Sequence, residues 1–126
     1  MKGYVMVGTN DLNLSEEFYN QVLDKVGLKK IYNDEVCVGY GRENNPEEIE
    51  FYITIPANRK PASFGNGTQI SFLTDTKNQV DQFHATGIAN GGTCEGLPGP
   101  RPAGANTYYS YIRDLDGNKI CAYTNS

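Results

Sequence analysis

The sequence predicts an α+β domain built from two βαβββ modules. Three observations support this prediction: an internal repeat, two amphipathic helical segments, and short strand-like runs after each helix. At a constant offset of 65 residues, Val5 is aligned with Ile70 and Phe18 with Phe83. Such self-similarity indicates a duplicated supersecondary unit. Each half begins with a strand, passes through a polar turn into a helix, and continues as further strands.

Size and composition bound the class of protein. A chain of 126 residues and 13.9 kDa fits one domain with its own core. The net charge of −4 disfavours nucleic acid or an anionic membrane as a partner. No apolar run approaches the roughly 20 residues of a membrane span, and no signal-peptide core is evident. Three widely spaced cysteines suggest reduced thiols, and we therefore expect a cytoplasmic protein.

The first module covers residues 1–56 approximately. Asn13 and Glu16 predict a capping box at the start of a helix, which continues to about Val26 and ends at Gly27. Phe18 lies on its apolar face. Strands are predicted before the helix, around residue 5, and after it at 29–32, 36–40 and 49–55.

A linker at about 57–67, rich in proline and glycine, precedes the second module at about 68–126. Its helix is predicted from Lys77 to Ile88. Asp116-Gly117 lies between two β-rich runs and predicts a hairpin turn. The later strands are predicted at 92–94, 108–113 and 119–123.

Strand alternation separates the two faces of the predicted sheets. One face is apolar and fits beneath the helices: Val5, Val7, Ile70, Phe72, Ile112, Ile120 and Ala122. The other collects aromatic and polar side chains: Tyr4, Met6, Gln69, Ser71, Tyr109, Tyr111, Cys121 and Tyr123. Either Glu50 and Tyr52 or Phe51 join this second face, depending on register. A face of this composition is typical of a small-molecule cleft, although tyrosine-rich faces also pack dimer interfaces.

Three segments together resemble the vicinal oxygen chelate superfamily, which includes glyoxalases, bleomycin-resistance proteins, fosfomycin-resistance proteins and extradiol dioxygenases. They are YVMVGTNDLNLSEEFYNQVLDKVGLKK, GNGTQISFLTDTKNQVDQFHATGIANGG and YYSYIRDLDGNKICAY, and they cover most of the chain. The resemblance implies a U-shaped, mixed eight-stranded sheet around a cleft, with the helices on its outer face. It also implies a homodimer and, in catalytic members, one divalent metal ion.

In those members the metal ligands are His or Glu from four places, which correspond here to Tyr4, the neighbourhood of Glu50, Gln69 and Cys121. The pattern has His near position 4, His at 69 and Glu at 121, so this sequence departs from it at three places. A neutral phenol and a carboxamide are poor ligands for such metals. We therefore predict that the usual metal is absent, that no other cofactor is bound, and that Cys121 is an inert, partly buried thiol.

The sequence favours a protein that binds a small organic molecule in a tyrosine-lined cleft. Arg101, in the loop at 94–107, can meet an anionic group. The predicted ligand-binding residues are Tyr4, Met6, Tyr52, Gln69, Ser71, Arg101, Tyr109, Tyr111, Cys121 and Tyr123.

Two alternatives stay open. The first is a glyoxalase-type lyase or isomerase acting on a small oxygenated substrate. In that case Glu50 is the candidate general base, Cys121 the nucleophile or a ligand, and Tyr109 or Tyr111 the proton donor. The second is an interaction module whose aromatic face is an oligomer interface.

Overall fold

The computed structural model describes residues 3–125 and contains all the elements that the sequence predicts. The first module comprises β1 (Val5–Gly8), α1 (Leu12–Asp24), β2 (Lys29–Asn33), β3 (Cys37–Gly41) and β4 (Ile49–Thr54). The second comprises β5 (Ile70–Leu73), α2 (Lys77–Ala89), β6 (Thr93–Pro100), β7 (Tyr108–Arg113) and β8 (Lys119–Thr124). The two βαβββ modules are thereby confirmed.

The eight strands form two four-stranded sheets, one from each module. Their orders are β1-β4-β3-β2 and β5-β8-β7-β6. In each sheet the first strand pairs in parallel with the last strand of its module, and the other pairs are antiparallel. The sheets are therefore mixed, and the α+β class is confirmed.

Helix α1 begins earlier than predicted. Its N-cap is Asp11, whose extended backbone (φ −147°, ψ 98°) allows the carboxylate to accept a hydrogen bond from the backbone N–H of Leu14. The predicted capping box of Asn13 and Glu16 is therefore wrong, because both residues lie inside the helix.

Helix α2 begins with a capping box that the sequence analysis did not name. Thr76 accepts a hydrogen bond from the backbone N–H of Gln79, and the Gln79 side chain accepts one from the backbone N–H of Thr76. Neither helix among residues 3–125 has the length and apolar composition needed to span a membrane.

Strand β6 is longer than the three residues predicted. It extends through Pro98 to Pro100, and its register against β7 shifts on both sides of Gly96. Proline is tolerated here because β6 is the edge strand of its sheet. Much of the predicted loop at 94–107 is therefore strand.

The helices cover one face of each sheet and contact each other, so both modules share one core. Helix α1 packs on β2 and β4, and α2 packs on β6, β7 and β8. Phe51 connects the modules: its ring centroid lies 5.0 Å from that of Tyr19 and 5.5 Å from that of Phe72. The predicted apolar face is confirmed by Val7, Phe72, Ile112, Ile120 and Ala122, all buried, and by the partly buried Val5 and Ile70 packed against them.

A buried polar network also joins the modules. The carboxylate of Asp114, in the β7–β8 turn, accepts hydrogen bonds from the Tyr19 hydroxyl (2.5 Å) and the Asn118 amide (2.9 Å). Asn118 also donates to the carbonyl of Gly8 at 3.0 Å. Burial raises the pKa of Asp114, and the hydrogen bonds that it accepts oppose this shift. Burial and the nearby Asp114 raise the pKa of Tyr19 well above its usual value.

Candidate functional site

The register of β4 decides which of its side chains leave the core. Phe51 is fully buried beneath the helices, so its neighbours Glu50 and Tyr52 project to the opposite side of the sheet. We call this side, turned away from the helices in each sheet, the open face. It carries Tyr4, Met6, Glu50 and Tyr52 in the first module, and Gln69, Ser71, Tyr109, Tyr111, Cys121 and Tyr123 in the second.

The open face of the first module is aromatic and acidic. Tyr4 packs edge-on against Tyr52 with 4.7 Å between ring centroids, and Tyr4 is 58% exposed. Both rings line a hollow of about 490 Å³ together with Glu47 and Glu48. Met6, on the same face, is 46% exposed.

A second cavity, of about 460 Å³, lies where β1, β4 and β5 approach one another. It brings together three residues that the sequence singled out, Glu50, Gln69 and Ser71. The rest of its lining is Gly3, Val5, Glu48, Ile70 and Phe72. This cavity is shared between the modules, but it contains no tyrosine.

The remaining predicted tyrosines form a stack on the second sheet. The ring of Tyr109 lies between Tyr123, at 5.1 Å and 12° between planes, and Tyr111, at 5.8 Å and 9°. We call these three residues the tyrosine stack. Strand register aligns Tyr111 with Cys121, and Cys121 with Ser71. The tyrosine stack therefore lies next to Cys121 and Ser71, and Ser71 lines the shared cavity.

Two cations flank the end of this stack. The Arg101 guanidinium carbon lies 5.9 Å from the Tyr111 ring centroid, and Lys119 Nζ lies 5.1 Å from it. Arg101 donates hydrogen bonds to the carbonyls of Leu97 (2.7 Å) and Pro100 (3.1 Å), which hold its side chain across β6. Lys119 was not among the predicted site residues, although its position two residues before Cys121 on β8 places it on the same face.

Cys121 is enclosed more completely than expected. It is 0% exposed, and its thiol donates to Ser71 Oγ at 3.0 Å while Gln69 Nε2 approaches the sulfur at 3.6 Å. Burial raises the pKa of the Cys121 thiol, and the Ser71 hydrogen bond and nearby Lys119 oppose the shift. A covered, protonated thiol is poorly suited to nucleophilic attack.

The four places that the sequence resemblance implies as metal ligands carry side chains that fit a divalent cation poorly. Tyr4 packs on Tyr52, the Gln69 amide donates to Ser71 and Cys121, and Glu50 lies 3.5 Å from Arg42 Nε. Within residues 3–125 no three His, Cys, Asp or Glu side chains gather as a metal-binding group would require.

The chain's one histidine, His84, lies on α2, and its Nε2 contacts Cys94 Sγ at 3.2 Å. It is therefore a helix-packing residue remote from the open face. Burial lowers the pKa of His84, and nearby Asp81 opposes this shift.

We expect the cysteines to differ sharply in reactivity. In native protein at neutral pH, iodoacetamide should label the exposed Cys94 at least about tenfold faster than Cys121, since access and thiolate fraction set the rate. Peptide mass spectrometry over time measures both sites. In urea the difference should vanish, which is the control. Native labelling of Cys121 as fast as Cys94 would contradict the enclosure described above.

Comparison with known proteins places this architecture in a family. Residues 3–122 match the model of the Glyoxalase/Bleomycin resistance protein/Dioxygenase superfamily. The chain belongs to this superfamily. A glyoxalase/bleomycin resistance protein from Albidiferax ferrireducens is 43% identical, with a TM-score of 0.84 over 97% of this chain and 96% of its own. The resemblance found in the sequence is thereby confirmed.

More distant members share the fold. A glyoxalase/bleomycin resistance protein/dioxygenase family enzyme from Burkholderia phytofirmans is 21% identical, with a TM-score of 0.73 over 98% of this chain and 97% of its own. A lactoylglutathione lyase from Agrobacterium tumefaciens is 22% identical, with a TM-score of 0.65 over 96% of this chain and 90% of its own. At such identities the superfamily's fold is shared, but an activity does not transfer. No curated protein matches the chain.

Proposed function

We propose that this superfamily member binds a small aromatic or amphipathic organic molecule on its open face, without a metal ion. The tyrosine stack is the observation that carries this proposal. Its three rings, half-buried and nearly parallel, offer aromatic surface against which another planar ring can pack. The shared cavity beside it is large enough for a small ligand.

The polar ends of the stack also favour a binding role. Several other tyrosine hydroxyls are occupied: Tyr19 donates to Asp114, Tyr40 to Asn20, and Tyr108 to Asp81. The hydroxyls of Tyr109, Tyr111 and Tyr123 have no hydrogen-bond partner within residues 3–125. They are free to contact a ligand, whereas a buried tyrosine usually satisfies its hydroxyl within the protein.

Catalysis of the glyoxalase type is less well supported by the same geometry. The candidate nucleophile, Cys121, is covered and held protonated by its raised pKa. The candidate base, Glu50, lies beside Arg42. Burial also raises the pKa of Tyr111, which makes its hydroxyl a weaker proton donor. We therefore propose binding and not turnover.

We also propose that the protein is a homodimer in the cytoplasm. Apolar side chains remain open to solvent on both sheets, including Tyr4, Met6 and Leu73. A second copy would cover such surface. The dimer is compatible with ligand binding, because a second copy can cover part of the open face without filling the shared cavity.

The proposal is tested by ligand-dependent stability and metal content. Naphthol, naphthoate and naphthylmethylamine share one planar ring system and differ in charge. We expect at least one of them to raise the melting temperature saturably by several degrees, since a ligand at 100 times Kd stabilises by about 2.7 kcal/mol. Protein purified without chelators should contain no stoichiometric zinc, nickel, iron or manganese.

The matched variants are Tyr109→Val, which removes the middle ring of the stack, and Tyr108→Val, which removes a half-buried tyrosine from the helix-covered side of the same strand. The first should abolish the ligand-induced shift and the second should preserve it. The absence of a shift with all three probes, or one equivalent of bound metal, would overturn the proposal.

A further inference from the structure

We propose that the ligand of the tyrosine stack is an aromatic acid whose anionic group lies between Arg101 and Lys119. This inference rests on the proposed function and adds the ligand's charge. It starts from the two cations near the Tyr111 ring, at 5.9 Å for Arg101 and 5.1 Å for Lys119.

Neither cation is neutralised within the part of the chain that the structure describes. The ion pairs among residues 3–125 use other cations: Lys25, Lys29, Lys30, Arg42 and Arg113. The carboxylate of Glu95 on β6 is bound by Arg113 at 3.0 Å. In a chain of net charge −4, this end of the stack is a local excess of positive charge. Such an excess attracts anions and orients them.

Arg101 is preorganised to receive an anion. Two of its N–H groups bind the carbonyls of Leu97 and Pro100, and its side chain lies across a strand that carries glycines. A Cβ added at Gly99 would lie 3.0 Å from Arg101 Nη1, and one at Gly96 would lie 2.7 Å from the Tyr111 ring. The remaining N–H groups of the guanidinium are available to a carboxylate. A guanidinium binds a carboxylate through directed hydrogen bonds.

The two open faces differ in charge, which fixes the orientation of such a ligand. The hollow of the first module contains Glu47 and Glu48 beside Tyr4 and Tyr52. The carboxylates in this hollow would repel an acid group. Arg101 and Lys119 would instead attract it to the Tyr111 end of the tyrosine stack. The aromatic ring then rests on the tyrosine stack with its carboxylate beside Tyr111.

The test compares the three naphthalene probes by titration calorimetry. We expect naphthoate to bind about tenfold more tightly than naphthol, and naphthylmethylamine to bind most weakly. Added salt should weaken naphthoate binding more than naphthol binding, because exposed charges are screened.

Arg101→Gln and Lys119→Gln should each reduce the affinity for naphthoate about five- to tenfold and reduce the affinity for naphthol much less. Lys60→Gln removes the same charge from an exposed position in the linker and should change neither affinity. Melting curves of the free variants confirm that each is folded.

The possible outcomes separate the two proposals. Equal affinities for naphthol and naphthoate would overturn the anionic ligand while leaving the proposed function intact. A preference for naphthoate that both glutamine variants retain would also overturn it, because the anion would then bind elsewhere. Failure of all three probes to bind would overturn the proposed function itself.

Discussion

Replacement of Asp114 by alanine should destabilise the protein by about 3–5 kcal/mol, since it leaves several buried donors without an acceptor. The Asp114 carboxylate accepts four hydrogen bonds, from the Tyr19 hydroxyl, the Asn118 amide and the backbone N–H groups of Asp116 and Asn118. Tyr19 is fully buried, so its hydroxyl has no access to compensating water. The free energy of unfolding in urea measures the loss.

Tyr19→Phe is the matched control for this network. It removes the hydroxyl together with its need for an acceptor, so the expected loss is only about 1–2 kcal/mol. The remaining donors still satisfy Asp114. A loss for Asp114→Ala no greater than that for Tyr19→Phe would show that the carboxylate does not hold the turn and the two modules together.

Phe51→Ala should cost about 3–5 kcal/mol, the usual range for a buried phenylalanine truncated to alanine. Its ring touches Tyr19 from α1 and Phe72 from the second module, so truncation opens a cavity in the core that both modules share. Urea unfolding should show a lower midpoint.

The neighbouring residue on β4 supplies the control for this second prediction. Tyr52 lies on the open face, packed only on Tyr4 among the aromatic residues described, and Tyr52→Ala should change stability by less than about 1 kcal/mol. Equal losses at the two positions would contradict the register of β4 described above.

The sequence was sufficient to predict the modules and the apolar face, because these depend on local periodicity. Ile112, Ile120 and Ala122 alternate with polar or aromatic residues, so their side of the sheet follows from strand geometry alone. Both registers of the β4 segment IEFYIT stayed open, although its apolar residues alternate with Glu50, Tyr52 and Thr54. Its register is fixed because Phe51 packs against Tyr19 and Phe72, which are distant in the chain.

The candidate site was less predictable. Alternation correctly put Cys121 on the open face, but its burial depends on side chains from other strands, Gln69 and Ser71 among them. Strand alternation also does not determine how the two sheets are oriented relative to each other. The residues expected in a single tyrosine-lined cleft therefore divide between two hollows and the tyrosine stack.

The linker is a further feature with a practical consequence. Asn10 binds Ala62 of the linker through both its amide nitrogen and its oxygen, yet the strongest contacts between modules involve the core and the β7–β8 turn. The halves are therefore joined by noncovalent contacts as well as by the chain at 57–67. Two polypeptides produced by opening the chain there would retain complementary surfaces, which makes this small domain suited to a split-protein reporter assembled by fragment complementation.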